Sequence, residues 1–155
     1  MIQQLTVAFL ILSQLPAPLP QTFESPLTGL TVVNHYMAPL TEYSTGHRGI
    51  DIKGNLNALV AAPTDAILIY SGKVGYRNLI NLAFQDKKLT IEPVCSNLQE
   101  GTTVSKGEVI GTLCEADPEY SWHCPYCLHL GIRNQNGYLS PELFLGGLPP
   151  SRLVP

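Results

Sequence analysis

Charge is scarce in this 155-residue sequence: Asp, Glu, Lys and Arg together make up 14% of it, against ~25% in an ordinary soluble domain. Apolar residues reach 45%, so intrinsic disorder is excluded, because that much apolar surface can support a core. Positive charge is scarcer still. Nine Lys and Arg stand against twelve Asp and Glu, for a net charge of −3, and a nucleic-acid partner, which demands a cationic surface able to release phosphate counterions, is not expected. No sustained 3.6-residue periodicity runs through the chain, so long amphipathic helices are not expected either. The length allows one ordinary domain with short extras, which leaves no room for separate catalytic and regulatory domains. What the chain does have is thirteen glycines and thirteen prolines, a content that favours many turns and short strands.

Residues 5–15 (LTVAFLILSQL) form an apolar run of about a dozen residues, short of the ~20 needed to span hydrocarbon but suited to the core of an export signal. Export to the cell envelope or beyond is therefore expected, with a membrane tether through this segment if it is retained. Two features fit less well: no Lys or Arg precedes Arg48, and Pro18 follows Ala17 at the most obvious cleavage point. A buried N-terminal strand or helix is the alternative. Prolines at 16, 18, 20 and 26 favour an extended linker. The expected organisation is a signal-like segment and linker over 1–26, a folded monomeric domain over 27–146 and an exposed tail over 147–155.

The four cysteines, Cys95, Cys114, Cys124 and Cys127, are an even set that can pair as two disulfides in an oxidising compartment. Three pairings are open. In a reducing compartment Cys124-Pro125-Tyr126-Cys127 would instead read as a redox or metal motif. Short β-type runs occur at 66–70, 79–84, 89–94, 108–113 and 128–132, bounded by turn signals at Ser71-Gly72, 85–88, Gly101 and 134–137. An all-β antiparallel domain is the expected fold, with one helical turn near 140–143.

Two clusters carry chemistry. In Gly46-His47-Arg48-Gly49-Ile50-Asp51 an imidazole and a carboxylate lie four residues apart, on the same side of an extended segment, and both are good zinc ligands. Such a pair alone is also what a surface loop contains. The second cluster, His123-Cys124-Pro125-Tyr126-Cys127-Leu128-His129, offers four potential ligands. On a strand, Cys127 and His129 would share one face while Leu128 and Leu130 point into a core. A disulfide-stapled turn with incidental histidines is the plainer reading of that cluster.

Taken together, residues 46–52 (GHRGIDI), 60–66 (VAAPTDA), 104–111 (VSKGEVIG) and 128–133 (LHLGIR), with 138–143 (YLSPEL) after them, resemble the lysostaphin/LytM-type zinc endopeptidases over roughly residues 30–145. The resemblance is strongest to an exported actinobacterial-type branch with Tyr-Glu-Pro-Val in mid-domain, here Ile91-Glu92-Pro93-Val94, and a late His-Cys…Cys-Leu-His-x-Gly, here 123–131. It implies a small antiparallel β domain related to the barrel-sandwich hybrid, Zn²⁺ held by His47, Asp51 and His129, and peptide crosslinks of bacterial peptidoglycan as the partner and substrate. Three protein ligands leave a fourth position for water, the arrangement of a catalytic zinc.

The sequence departs from that family's usual pattern at two positions. Cys127 stands where the first histidine of His-x-His is usual, and Pro93 replaces a second helper histidine. Losing a positioned acid/base group typically costs ~10² to 10⁴-fold in rate. His123 and Glu92 are the candidate replacements, Glu92 as an acceptor for a proton from water if it faces the groove, and merely a solvated charge if it does not. A free Cys127 thiolate would close the zinc shell, whereas a Cys124–Cys127 disulfide would leave it open; export and the even cysteine count favour the disulfide. A catalytically degenerate domain that binds cell wall or regulates another hydrolase is the competing function. A lipoyl- or biotinyl-type carrier, suggested by Val104-x-x-Gly107-x-x-Ile110-Gly111 with Lys87 and Lys88 at a turn, leaves His47, Asp51 and His129 unexplained.

Overall fold

The computed structural model describes residues 22–41, 43–115 and 124–146. In chain order the strands are β1 (Val32–Asn34), β2 (Gly49–Lys53), β3 (Leu59–Ala61), β4 (Ala66–Val74), β5 (Arg77–Phe84), β6 (Lys87–Glu92), β7 (Val94–Cys95), β8 (Thr103–Val104), β9 (Val109–Leu113), β10 (Cys127–Asn134) and β11 (Gly137–Leu139). A 3-10 turn at Pro141–Leu143 follows, where one helical turn is expected. Every strand pairing is antiparallel. The larger sheet runs β1-β2-β10-β6-β5-β4-β8 with β11 on β10, and the smaller runs β3-β9-β7.

Period-2 alternation decides which side of the large sheet is core. Leu89 and Ile91 of β6 and Leu128, Leu130 and Ile132 of β10 are fully buried, and they pack with Ile50, Ile52, Leu68, Ile80 and Leu82. Each such Leu or Ile contributes roughly 1.5–3 kcal/mol by leaving water. Val60, Val94, Ile110 and Leu113 of the smaller sheet belong to the same cluster, so both sheets close over one core. The alternate residues of β6 and β10, among them Lys88, Thr90, Glu92, His129, Gly131 and Arg133, are thereby turned to the opposite face.

Packing extends N-terminal of Leu27, into the segment expected as linker. Phe23 is buried against Phe84 and Phe144, with ring centroids 5.2 and 5.0 Å away, and its N–H donates to the Phe144 carbonyl at 2.7 Å. The apolar run at 5–15 and the tail from 147 lie outside the described residues. Ser71-Gly72 is not a turn. Instead β4 runs on to Val74, with Ser71 opposite Ile80 and Gly72 opposite Leu79, because pairing with β5 outweighs the local turn preference. The chain reverses three residues after Gly72, at Gly75-Tyr76, where Gly75 takes φ +59°.

The cysteines pair as Cys95–Cys114 and Cys124–Cys127, so none of the four is a free thiol. The first joins the end of β7 to the residue after β9 across a sequence separation of 19. Closing a loop of that size stabilises a fold by about 3 kcal/mol in the chain-entropy view. Replacing both Cys95 and Cys114 with serine is expected to lower the urea-unfolding free energy by about that amount, and an unchanged midpoint would show the bond to be idle.

Candidate metal centre

One row of residues crosses four strands on the open face of the large sheet. Asn34 of β1 lies opposite Asp51 of β2, Asp51 opposite His129 of β10, and His129 opposite Glu92 of β6. Directly opposed residues in antiparallel strands share a face, so the register alone gathers one amide, two carboxylates and an imidazole. His47 joins from just outside β2. It is held by an isolated bridge to Met37, whose N–H donates to the His47 carbonyl at 2.9 Å and whose carbonyl accepts from the His47 N–H at 2.8 Å.

The structure therefore brings together His47, Asp51 and His129. His129 Nδ1 lies 2.8 Å from Asp51 Oδ1, His47 Nε2 lies 3.2 Å from the same oxygen, and the two imidazole nitrogens are 3.3 Å apart. Two nitrogens and one oxygen are a donor set that suits zinc, and ligands at ~2.0–2.1 Å in tetrahedral geometry stand about 3.3 Å from one another. The observed triangle fits that size. Two of the three are oriented from behind: the His47 Nδ1–H donates to the His35 carbonyl at 2.8 Å, leaving Nε2 to face the centre, and Asn34 Nδ2 donates to Asp51 Oδ2 at 2.8 Å. Burial alone would push the Asp51 carboxyl up. Hydrogen bonds from His129 and Asn34, with the charges of the two imidazoles, outweigh it and hold the group at about 2.

Gly49 makes room for the His129 ring. A Cβ there would press on the Leu130 carbonyl oxygen and stand 2.6 Å from His129 Nε2, so any side chain at this position would displace the imidazole. Cys127 shares the His129 face of β10 but is tied to Cys124, which removes its thiolate as a ligand. Glu92 does face the groove. It is 5% exposed, its Oε1 accepts from an Arg77 guanidinium N–H at 3.0 Å, and its Oε2 has no hydrogen-bond partner among the described residues. Glu92 and His129 line one cavity of about 350 Å³. His123 lies outside the described residues.

Two participants have no local sequence signal. Asn34 and the His35 carbonyl become recognisable only once β1 is known to lie beside β2. The His35 side chain itself points elsewhere, its Nδ1 lying 2.6 Å from Glu142 Oε1.

Residues 45–141 match the family model described as Peptidase family M23. The uncharacterized protein Rv2891 of Mycobacterium tuberculosis is 31% identical over 101 residues, a match covering 64% of this chain and 40% of that protein. This chain thus matches only about two fifths of that relative's length. Among solved structures, the catalytic domain of the antimicrobial peptidase lysostaphin from Staphylococcus simulans gives a TM-score of 0.64 at 21% identity, over 76% of this chain and 93% of that one. A zinc containing peptidase from Vibrio cholerae gives 0.63 at 18%, over 77% and 39%. At such identities the likeness is one of fold, and it agrees with the all-β lysostaphin/LytM-type architecture expected from the motifs. The family match spans more than half of the sequence, with His47, Asp51, Glu92 and His129 inside it, and the chain belongs to Peptidase family M23.

Proposed function

We propose that this protein is an exported, zinc-dependent endopeptidase that hydrolyses peptide bonds of bacterial cell-wall peptidoglycan. The observation that carries the reading is the convergence of His47 Nε2, Asp51 Oδ1 and His129 Nδ1 on one point, with the sulfur of Cys127 withheld from it. Zinc held by these three groups would supply Lewis acidity, polarising a peptide carbonyl and making water a better nucleophile near neutral pH. Asp51 brings the negative charge and stays ionised across the working range. Asn34 keeps Asp51 aimed and the His35 carbonyl keeps His47 aimed. Glu92 accepts the proton that the attacking water gives up, at Oε2, while Arg77 holds Oε1 in place. His123 is the second candidate for that proton. Two disulfides within one small chain support an oxidising compartment and hence export.

A second reading has its own observation: Cys127 and Pro93 stand where helper histidines are usual in the domains this chain resembles, which suits a degenerate domain that binds cell wall without cutting it. Both readings are tested by loading the oxidised protein with zinc and incubating it with purified peptidoglycan. One zinc per chain and new amino termini are expected from the peptidase. Zinc uptake without new termini favours the degenerate domain, and a protein that takes up no zinc sinks both.

A further inference from the structure

Four of the chain's nine Lys and Arg residues line the cavity that holds His129 and Glu92. They are Arg48, Arg77, Lys88 and Arg133, and Glu92 is the sole acidic residue lining it among those described. In a protein of net charge −3 this is a local reversal of sign. The floor follows from strand alternation: β6 presents Lys88, Thr90 and Glu92, while β10 presents Arg133, Gly131 and His129 opposite them in that order. Between the metal end and the cationic end the floor stays low. Gly131 has no side chain, and Thr90 has a short one whose hydroxyl donates to Asn81 Oδ1 at 2.7 Å.

The far end is built at a cost. Arg133 stands directly opposite Lys88, and like charges so placed repel. Neither has an ion-pair partner among the described residues. Burial, and then the charge of Arg133, push the Lys88 ammonium down from its usual range. An anion laid between the two would relieve both effects. Arg133 lies four residues beyond His129 on β10, about 13 Å at ~3.3 Å per residue, and an extended peptide on the groove would advance at a similar rise.

We infer that the Lys88–Arg133 end of this groove is a carboxylate subsite, and that the substrate is a peptide carrying a free carboxylate about three or four residues from the bond at the metal centre. The inference rests on the proposed hydrolase and deepens it by naming the substrate class. A peptide whose carboxyls are blocked offers these cations nothing.

The test is a binding measurement by calorimetry, independent of turnover. The full oxidised chain, with and without zinc, is titrated with N-acetylated alanyl-glutamyl-lysyl-alanine and with the same peptide carrying amides in place of both carboxyls. Charge-assisted pairing predicts about 10- to 100-fold tighter binding of the acid form, a gap that narrows as salt is raised. In the Lys88→Gln/Arg133→Gln variant the gap should close while zinc uptake is unchanged, and the melting temperature should rise because the repulsion is gone. Equal binding of the two peptides by the native chain overturns the subsite, as does an undiminished gap in the variant or tighter binding of glycerol phosphate than of the acid peptide. A native chain that prefers the acid form but takes up no zinc sinks the hydrolase and leaves the carboxylate groove standing.

Discussion

Replacing His129 with alanine should abolish stoichiometric zinc uptake while the fold survives. Three side chains make the site, and structural zinc in small four-ligand domains is bound with ~10–16 kcal/mol at neutral pH. One ligand's share of such a total is about 3–4 kcal/mol, so affinity should fall by roughly 10²- to 10³-fold. The fold should tolerate the change because β10 is held by backbone pairing to β2 and β6 and by the buried Leu128, Leu130 and Ile132, none of which involves the imidazole. Metal analysis after dialysis, alongside a melting curve, separates the two effects. A variant that keeps one zinc per chain would place the ion elsewhere.

Replacing Glu92 with glutamine should lower kcat by about 10²- to 10⁴-fold and leave zinc content intact. Glutamine preserves the shape of the buried side chain and an oxygen for the Arg77 guanidinium, but it cannot take up a proton at the position of Oε2. The free Oε2 is unusual in its own right, since a buried carboxylate oxygen without a partner is costly unless something else needs it. Because Glu92 lies opposite His129 rather than among the ligands, KM and metal affinity should move far less than kcat. An unchanged kcat would remove Glu92 from the chemistry. If His123→Ala then silenced the enzyme with zinc still bound, the proton would belong to His123.

The hairpin strands of the large sheet could be read from the sequence because β4, β5, β6 and β10 carry apolar residues at alternating or near-continuous positions between credible turns. The shorter strands could not. β1, β3, β8 and β11 have two or three residues each, too few for any periodicity, and pairing partners alone make them strands. The candidate ligands His47, Asp51 and His129 were legible through the resemblance to the lysostaphin/LytM-type domains, since a His and an Asp four apart are by themselves equally what a surface loop contains, and Cys127 and His129 beside core leucines equally what a stapled turn contains. That Glu92 stands beside His129 depended on the register between β6 and β10, a long-range property with no local trace. The cysteine pairing was open for the same reason, since the sequence separation of 19 between Cys95 and Cys114 is closed by the β7–β9 ladder rather than by any local motif.

The row Asn34, Asp51, His129 and Glu92 lies at right angles to the chain's direction of travel, so lateral neighbours rather than chain connectivity assemble it. Splitting the polypeptide at a hairpin tip such as Gln85-Asp86, or lengthening it there, would leave every member of the row where it is. A slip of one residue between β2 and β10 would do the reverse, turning Asp51 and His129 to opposite sides of the sheet with no atom of either residue altered. Zinc uptake at the proposed site would therefore double as a gauge of strand alignment.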